Sequence, residues 1–158
     1  MRKKGNHNGA ENAVEAYLRE NNVPFIGTNE GKRVSYNGGT IKNFDLILPG
    51  RLGCIYVDVK GRKFSYESVP GNRWENWILK DDVESLKIWS TLGNQQQAYL
   101  LYAYSLPDSG EDLPNCFKGN SFFFNEKIYA FFTISIQDYI NNSKHREEVL
   151  SNSIGRQV

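Results

Sequence analysis

Two aspartates and a lysine stand in two hydrophobic stretches of the sequence that are joined by a short turn. Asp45 lies within residues 44–48 (FDLIL), and Asp58 and Lys60 lie within residues 54–61 (CIYVDVKG). Both stretches are rich in apolar and β-branched residues, and the intervening PGRLG is typical of a turn. The sequence therefore predicts two neighbouring strands that carry the three charged side chains.

Strand geometry predicts how these side chains are placed. Side chains alternate between the two faces of a strand, so Asp58 and Lys60 should share one face, and a hairpin partner can bring Asp45 alongside Asp58. Two carboxylates held together repel each other unless a proton or a cation neutralises them. Oxygen ligands favour a hard ion such as Mg²⁺, and the ammonium adds positive charge where an attacking water or a developing anion would lie. This pattern predicts a metal-dependent site that cleaves phosphodiesters.

An acidic side chain upstream could contribute to the same site. Apolar residues recur at helical spacing in the segment that follows Gly9, which predicts an amphipathic helix of about three turns. Glu11 falls at the edge of the apolar stripe, from which it could reach the sheet, and Glu15 is the second candidate. The stripe itself consists of Ala10, Ala13, Val14, Tyr17 and Leu18.

A helix bearing Glu11, followed by Asp45 and then by Asp58-Val59-Lys60, resembles the core of the PD-(D/E)XK nuclease superfamily. Phe44 stands where that signature has a proline. The resemblance implies a restriction-endonuclease-like α/β core, in which helices flank a mixed central β-sheet. It further implies that Asp45, Asp58, the Val59 carbonyl and Glu11 hold Mg²⁺, which Mn²⁺ can replace, and that Lys60 acts on the attacking water or the pentacovalent phosphate.

Length and composition are consistent with one globular nuclease domain over residues 1–158. Apolar residues make up 39% of the chain and aromatic residues 13%. No apolar run is long enough to span a bilayer, so we expect a soluble, cytoplasmic protein without a membrane partner. Residues 1–80 carry 13 Lys and Arg against 8 Asp and Glu, whereas residues 81–158 carry 6 against 10. The basic half contains the predicted site, which favours nucleic acid as partner.

Residues 28–43 predict a projecting β-hairpin, because Asn37-Gly38-Gly39 is a strong turn signal. A two-stranded ribbon fits the major groove of DNA, and this segment is rich in side chains that contact bases and phosphates. A basic N-terminal tail and two cations after Lys60 could add phosphate contacts. The predicted DNA-binding residues are Lys3, Lys4, Lys32, Arg33, Ser35, Tyr36, Asn37, Thr40, Lys42, Arg62 and Lys63.

The rest of the chain predicts further elements of one core. Asp81 or Asp82 is expected to cap a helix that continues to about Gly93. Strands are predicted at 97–105, 121–124 and 127–136, and two short helical pieces should close the chain. The tryptophans Trp74 and Trp77 are expected to be structural.

The size and layout are similar to the bacterial group I intron-encoded homing endonuclease of this fold. The expected function is therefore metal-dependent, sequence-specific cleavage of double-stranded DNA, with restriction endonuclease and Holliday-junction resolvase as alternatives. A catalytically inactive DNA-binding domain is the alternative from another class. Because one domain supplies one site while two strands must be cut, we expect a homo-oligomer, either a dimer or a tetramer.

Overall fold

A computed structural model describes residues 8–29, 31–64, 76–92, 97–106, 121–146 and 149–152 of the chain. Among the described residues, α1 is followed by six strands, α2 by three and α3 by two. The elements are α1 (Asn8–Glu20), β1 (Ile26–Gly27), β2 (Arg33–Tyr36), β3 (Gly39–Lys42), β4 (Leu46–Gly50), β5 (Gly53–Lys63), β6 (Ile78–Leu79), α2 (Lys80–Thr91), β7 (Gln97–Leu106), β8 (Ser121–Phe124), β9 (Lys127–Ser135), α3 (Ile136–Asn141), β10 (Ser143–Arg146) and β11 (Val149–Asn152).

The central sheet has six strands in the order β1-β4-β5-β7-β9-β8. Strands β5 and β7 run parallel, and the other neighbouring pairs run antiparallel. The parallel pair requires a crossover, and α2 lies in the segment between β5 and β7. The mixed sheet flanked by helices is the fold class that the sequence predicts.

Helix α1 covers one face of the sheet. Its buried side chains Ala13, Val14 and Leu18 pack with Val57 and Val59 of β5. The approach is close at Gly61, because a Cβ added there would lie 2.9 Å from the Cβ of Ala10. The amphipathic helix predicted from the apolar stripe is therefore present, and it packs on the face of β5 that carries the odd-numbered residues.

The opposite face carries a larger, aromatic-rich core that α2 and α3 cover. Phe44 stacks on Tyr56 with ring centroids 4.5 Å apart, and the Trp89 ring of α2 meets Phe44 edge-on at 4.9 Å. Further along the sheet, the buried hydroxyls of Tyr102 and Tyr139 both donate to the Asn76 carbonyl, at 2.8 and 2.7 Å. Asp58 and Lys60 belong to this face of β5, because they alternate with Val57 and Val59.

Strands β2 and β3 form the predicted hairpin as a separate two-stranded sheet. Asn37 and Gly38 have φ angles of 46° and 79°, the left-handed values that a tight two-residue turn requires. The base of the hairpin is fastened to α2: the Lys42 N–H donates to Ser85 Oγ at 2.9 Å, and Trp89 Nε1 donates to the Lys42 carbonyl at 2.9 Å. The hairpin is therefore positioned by the same helix that covers the face of β5 carrying Asp58 and Lys60.

Two sequence predictions differ from the structure. Neither Asp81 nor Asp82 caps α2, because Leu79 occupies the N-cap without a side-chain hydrogen bond and both aspartates lie in the first turn. The predicted end of that helix at Gly93 lies outside the described residues. The second helical piece at the C-terminus is instead the strand pair β10–β11, where cross-strand pairing, extended to β6, replaces helical hydrogen bonds.

Strand β1 is short, since only Ile26–Gly27 pairs with β4. By contrast, the predicted strands at 97–105, 121–124 and 127–136 correspond to β7, β8 and β9. Within the described residues, no helix has the length and apolar character needed to cross a membrane.

Candidate active site

Asp45 directly precedes β4, and Asp58 lies on β5. The antiparallel register pairs Leu46, the first residue of β4, with Val57. The Asp45 N–H also donates to the Val57 carbonyl at 3.0 Å, so Asp45 leaves the regular ladder but stays bonded to β5. Asp45 is only 6% exposed, and its Oδ2 accepts from the Val59 N–H at 2.6 Å. These two hydrogen bonds hold Asp45 against the residues on either side of Asp58.

Lys60 lies between two carboxylates on the face that α2 covers. Its Nζ is 2.9 Å from Asp58 Oδ2 and 2.9 Å from Asp82 Oδ2. All three side chains are largely enclosed, with exposures of 18% for Lys60, 13% for Asp58 and 11% for Asp82. Ion pairs withdrawn from water in this way are screened less than surface pairs. The ammonium is therefore held at a defined position next to Asp58.

These contacts set the protonation states of the lysine and of its partner on α2. Burial opposes a charged lysine, but the Asp58 and Asp82 carboxylates outweigh it, so the pKa of Lys60 is raised above its ordinary value. Burial likewise opposes a charged Asp82, but Lys60 and Lys42 outweigh it, so the pKa of Asp82 is lowered. Lys60 is thus a fixed ammonium in this arrangement, which can orient water or stabilise an anion but cannot accept a proton.

Asp82 is the residue of this site that the sequence prediction missed. The Asp81-Asp82 pair has the pattern of an N-cap, and that interpretation assigns both residues a local role. The signal that could have revealed Asp82 is topological: a crossover helix after β5 returns its first turn to the sheet beside the strand that it follows. Helix α2 begins at Lys80, so Asp82 lies in its first turn, and there its carboxylate contacts the Lys60 ammonium.

Glu11 is partly buried on α1, the helix that packs on the other face of β5. Across the part of the chain that the structure describes, no three His, Cys, Asp or Glu side chains are grouped so that they could hold a metal ion. The role of Glu11 remains a prediction. The second candidate, Glu15, forms an ion pair with Arg19 at 3.1 Å, one helical turn away.

The predicted DNA-binding residues fall into three groups. Lys32, Ser35, Tyr36, Asn37 and Lys63 are exposed. Arg33, Thr40 and Lys42 are linked to one another or to α2: Arg33 Nε donates to Thr40 Oγ1 at 2.7 Å, Arg33 pairs with Asp81 at 3.2 Å, and Lys42 pairs with Asp82 at 2.6 Å. Lys3 and Lys4 lie outside the described residues.

Arg62 is tied into the fold at the end of β5. Its guanidinium lies 4.8 Å from the centroid of the Trp77 ring and donates to the Trp77 carbonyl at 2.7 Å. This gives Trp77 the structural role that the sequence predicts, although its side chain is 43% exposed. Trp74 lies outside the described residues.

Comparison with known proteins yields a structural match only. No protein-family model and no curated protein matches the chain. A solved structure, the Holliday junction resolvase Hjc of the archaeal hyperthermophile Archaeoglobus fulgidus, matches with a TM-score of 0.53 at 16% sequence identity. The match covers 95% of this chain and 91% of the resolvase chain.

The two chains share one fold. This confirms the fold class that the sequence predicted, a restriction-endonuclease-like core with a mixed sheet flanked by helices.

Proposed function

We propose that this protein is a metal-dependent endonuclease that cleaves DNA phosphodiesters. The observation that supports the proposal is the ion pair of Lys60 with Asp58 beside Asp45, which is bonded to Val57 and Val59, within a fold that a Holliday junction resolvase shares. Neighbouring carboxylates and a buried ammonium serve phosphodiester hydrolysis well, because the reaction needs a cation to polarise phosphate oxygens and positive charge for the developing anion.

The donor set fits Mg²⁺. This ion is commonly held by one or two carboxylates, and substrate phosphate and water complete its octahedron. Asp45 and Asp58 supply the carboxylates. The Val59 N–H points towards Asp45, and within a strand the N–H and C=O of one residue face the same neighbour, so the Val59 carbonyl is available on that side. Glu11 would bind a second ion or the waters of the first, and Mn²⁺ should substitute for Mg²⁺.

Lys60 would act through its charge. Since both flanking acids favour its protonated form, the ammonium can orient the attacking water and stabilise the negative charge that develops on the phosphorane. Removing one such donor typically lowers the cleavage rate by about 100- to 1,000-fold. His7 and His145 stand in terminal polar stretches of the sequence, and the mechanism proposed here assigns neither of them a role.

A branched substrate is the preferred assignment, because the resolvase match spans both chains over more than nine-tenths of their lengths. The Holliday-junction alternative thus ranks ahead of the homing endonuclease that the sequence layout suggested. The β2–β3 hairpin favours the second candidate, a sequence-specific homing or restriction endonuclease, since its exposed Lys32, Ser35, Tyr36 and Asn37 could read duplex DNA.

Either substrate needs cuts on two strands, so the working form should be a homo-oligomer, a dimer or a tetramer. Strand β8 ends the order of the central sheet, and Phe123 on this strand is 69% exposed. An exposed aromatic on an edge strand is a suitable contact for a second copy.

The decisive experiment compares a synthetic four-way junction with a randomised linear duplex library, each incubated with the protein in Mg²⁺. We expect paired cuts in the junction, lost with a chelator and with Lys60→Ala. Lys87→Ala, which removes an exposed lysine of α2, serves as the matched control and should retain cleavage. Cuts in linear DNA that share one motif would instead establish a sequence-specific endonuclease. Binding of both substrates without any cleavage would refute the nuclease proposal and favour an inactive DNA-binding domain.

A further inference from the structure

Asp82 joins two ammonium groups that come from different parts of the fold. Its Oδ2 lies 2.9 Å from Lys60 Nζ of β5, and its Oδ1 lies 2.6 Å from Lys42 Nζ at the base of the hairpin. The next acid, Asp81, is 3.7 Å from the same Lys42 ammonium and 3.2 Å from Arg33. A continuous chain of ion pairs thus runs from the hairpin to Asp58.

We propose that Asp82 is a positioning residue that holds the Lys60 ammonium in the site and links it, through Lys42, to nucleic-acid contacts made by the hairpin. This inference rests on the proposed nuclease function, which it deepens by adding an element of control. It assigns to α2 a role beyond covering the sheet.

The first part of the argument concerns how Lys60 is retained. Asp58 and Asp82 now share its ammonium at equal distances of 2.9 Å. In the proposed reaction Asp58 faces a metal cation, which competes with the lysine for that carboxylate. Asp82 is not one of the proposed metal ligands, so the metal cation does not compete with Lys60 for its carboxylate. It therefore keeps the ammonium beside Asp58 when the ligands of the metal are engaged.

The second part concerns the hairpin. Lys42 and Arg33 are paired at cross-strand positions of β2 and β3, and both are bound to the first turn of α2. A phosphate backbone offers these cations an alternative anion, since neutralising phosphates with lysine and arginine drives nucleic-acid binding. If Lys42 turns to a phosphate, Asp82 loses one of its two cations and its full charge acts on Lys60. Contact of the hairpin with DNA would then tighten the position of the catalytic lysine.

A merely structural Asp82 would give a different pattern. An acid in the first turn of a helix also favours the helix dipole, an effect that any acid of that turn provides. A loss of function through misfolding would change the stability and lower DNA binding together with the rate. A positioning role changes the cleavage rate at saturating DNA while leaving binding intact, because removal of a negative charge does not weaken attraction to a polyanion.

The test uses single-turnover cleavage at saturating DNA with Asp82→Asn, Lys42→Met and the double variant. The matched control is Glu84→Gln, an exposed acid of α2. We expect Asp82→Asn to lower the rate by about 10- to 100-fold, the range that misplacement of a reacting group by about 1 Å produces. Affinity should be unchanged or tighter, Asp82→Glu should recover part of the rate, and Glu84→Gln should match the unaltered protein.

The link to the hairpin is tested by the double variant. Lys42→Met should slow cleavage at saturating DNA in the otherwise unaltered protein. It should have little further effect in Asp82→Asn, because the effects of substituting contacting residues of one network are not additive. Fully additive effects would overturn the link. An unchanged rate in Asp82→Asn would overturn the positioning role.

A second readout separates this inference from the function on which it rests. The ¹⁵N–¹H ammonium signal of Lys60 is followed by NMR while a short DNA duplex is added without metal. We expect the chemical shift of this signal to change in the unaltered protein and to remain constant in Lys42→Met. If the unaltered protein cleaves no DNA but this pattern holds, the proposed function is wrong and the link stands. If the unaltered protein cleaves DNA but the Lys60 signal responds to DNA in the same way with and without Lys42→Met, only the link is wrong.

Discussion

Gly61 directly follows Lys60 and sets how closely α1 approaches β5. Changing it to alanine would put a Cβ 2.9 Å from the Ala10 Cβ, whereas carbon atoms in contact prefer about 3.5–4.0 Å. Helix and strand would have to separate by roughly 0.6–1.1 Å to relieve the overlap. Neither Cβ can rotate away, so the backbone must move.

The expected loss of stability combines two opposing terms. Overpacking of a close contact typically costs about 1–3 kcal/mol. Replacing glycine by alanine restricts the unfolded chain, which returns about 0.4–1 kcal/mol. We therefore expect Gly61→Ala to lower the free energy of unfolding by about 1–2 kcal/mol, and the melting temperature by about 2–8 °C for a chain of this length. The separation also moves Glu11, next to Ala10, so cleavage should fall.

Urea and thermal denaturation measure the first effect, and junction cleavage in Mg²⁺ measures the second. Gly27→Ala is the matched control, since its new Cβ would lie 3.6 Å from the mobile Glu15 Oε1, an ordinary contact. The double variant Ala10→Gly with Gly61→Ala removes the opposing methyl group. It should recover part of the stability, although glycine in a helix costs up to about 1 kcal/mol.

A Gly61→Ala protein as stable as the unaltered one would refute the close packing of α1 on β5. Failure of the double variant to recover any stability would show that the strain arises elsewhere than at Ala10. If stability falls as expected while cleavage is untouched, the helix packs as described and the prediction that Glu11 serves the site is wrong.

Two further predictions concern the surface and the core. Phe123→Asp should lower the mass of the protein in light scattering from that of an oligomer to that of a monomer while the circular dichroism spectrum stays unchanged; an unchanged mass would exclude β8 from the interface. Burial raises the pKa of Tyr139 to about 12, above the value near 10 of an exposed tyrosine, so its contribution to stability is present below pH 10 and is lost as the pH rises towards 12. Alkaline denaturation should therefore be shallower in Tyr139→Phe, and an equally steep loss in that variant would contradict the assignment.

Local signals in the sequence were sufficient to predict the strands and turns that build the candidate site. The turn at Asn37-Gly38 and the strands around Asp45 and Asp58 follow from residue types that act within a few positions of one another. The antiparallel pairing of β4 with β5 follows as well, because one short connection joins the two strands. The turn Asn125-Glu126 between β8 and β9 belongs to the same class, with φ angles of 48° and 63°.

Contacts that join distant parts of the chain could not be predicted in the same way. The approach of Asp82 to Lys60 depends on the length and direction of the crossover between β5 and β7, which no local pattern encodes. The C-terminal pair β10–β11 depends on β6, more than 60 residues earlier in the chain, so its residues looked like short helices when only neighbouring residues were considered. Tertiary pairing overrode local propensity there.

The same long-range contacts change how the charge asymmetry should be understood. Residues 1–80 are basic, and the sequence suggested that their field faces a polyanion. Yet Arg33, Lys42 and Lys60 are paired in space with Asp81 and Asp82, which open the acidic half of the chain. These three cations are therefore partly neutralised before any substrate arrives. Under the proposed function, the initial attraction of DNA would come from exposed cations such as Lys32 and Lys63. The paired cations at the hairpin base would become available only by exchanging carboxylate for phosphate. An enzyme arranged in this way would bind DNA first and complete its catalytic geometry second.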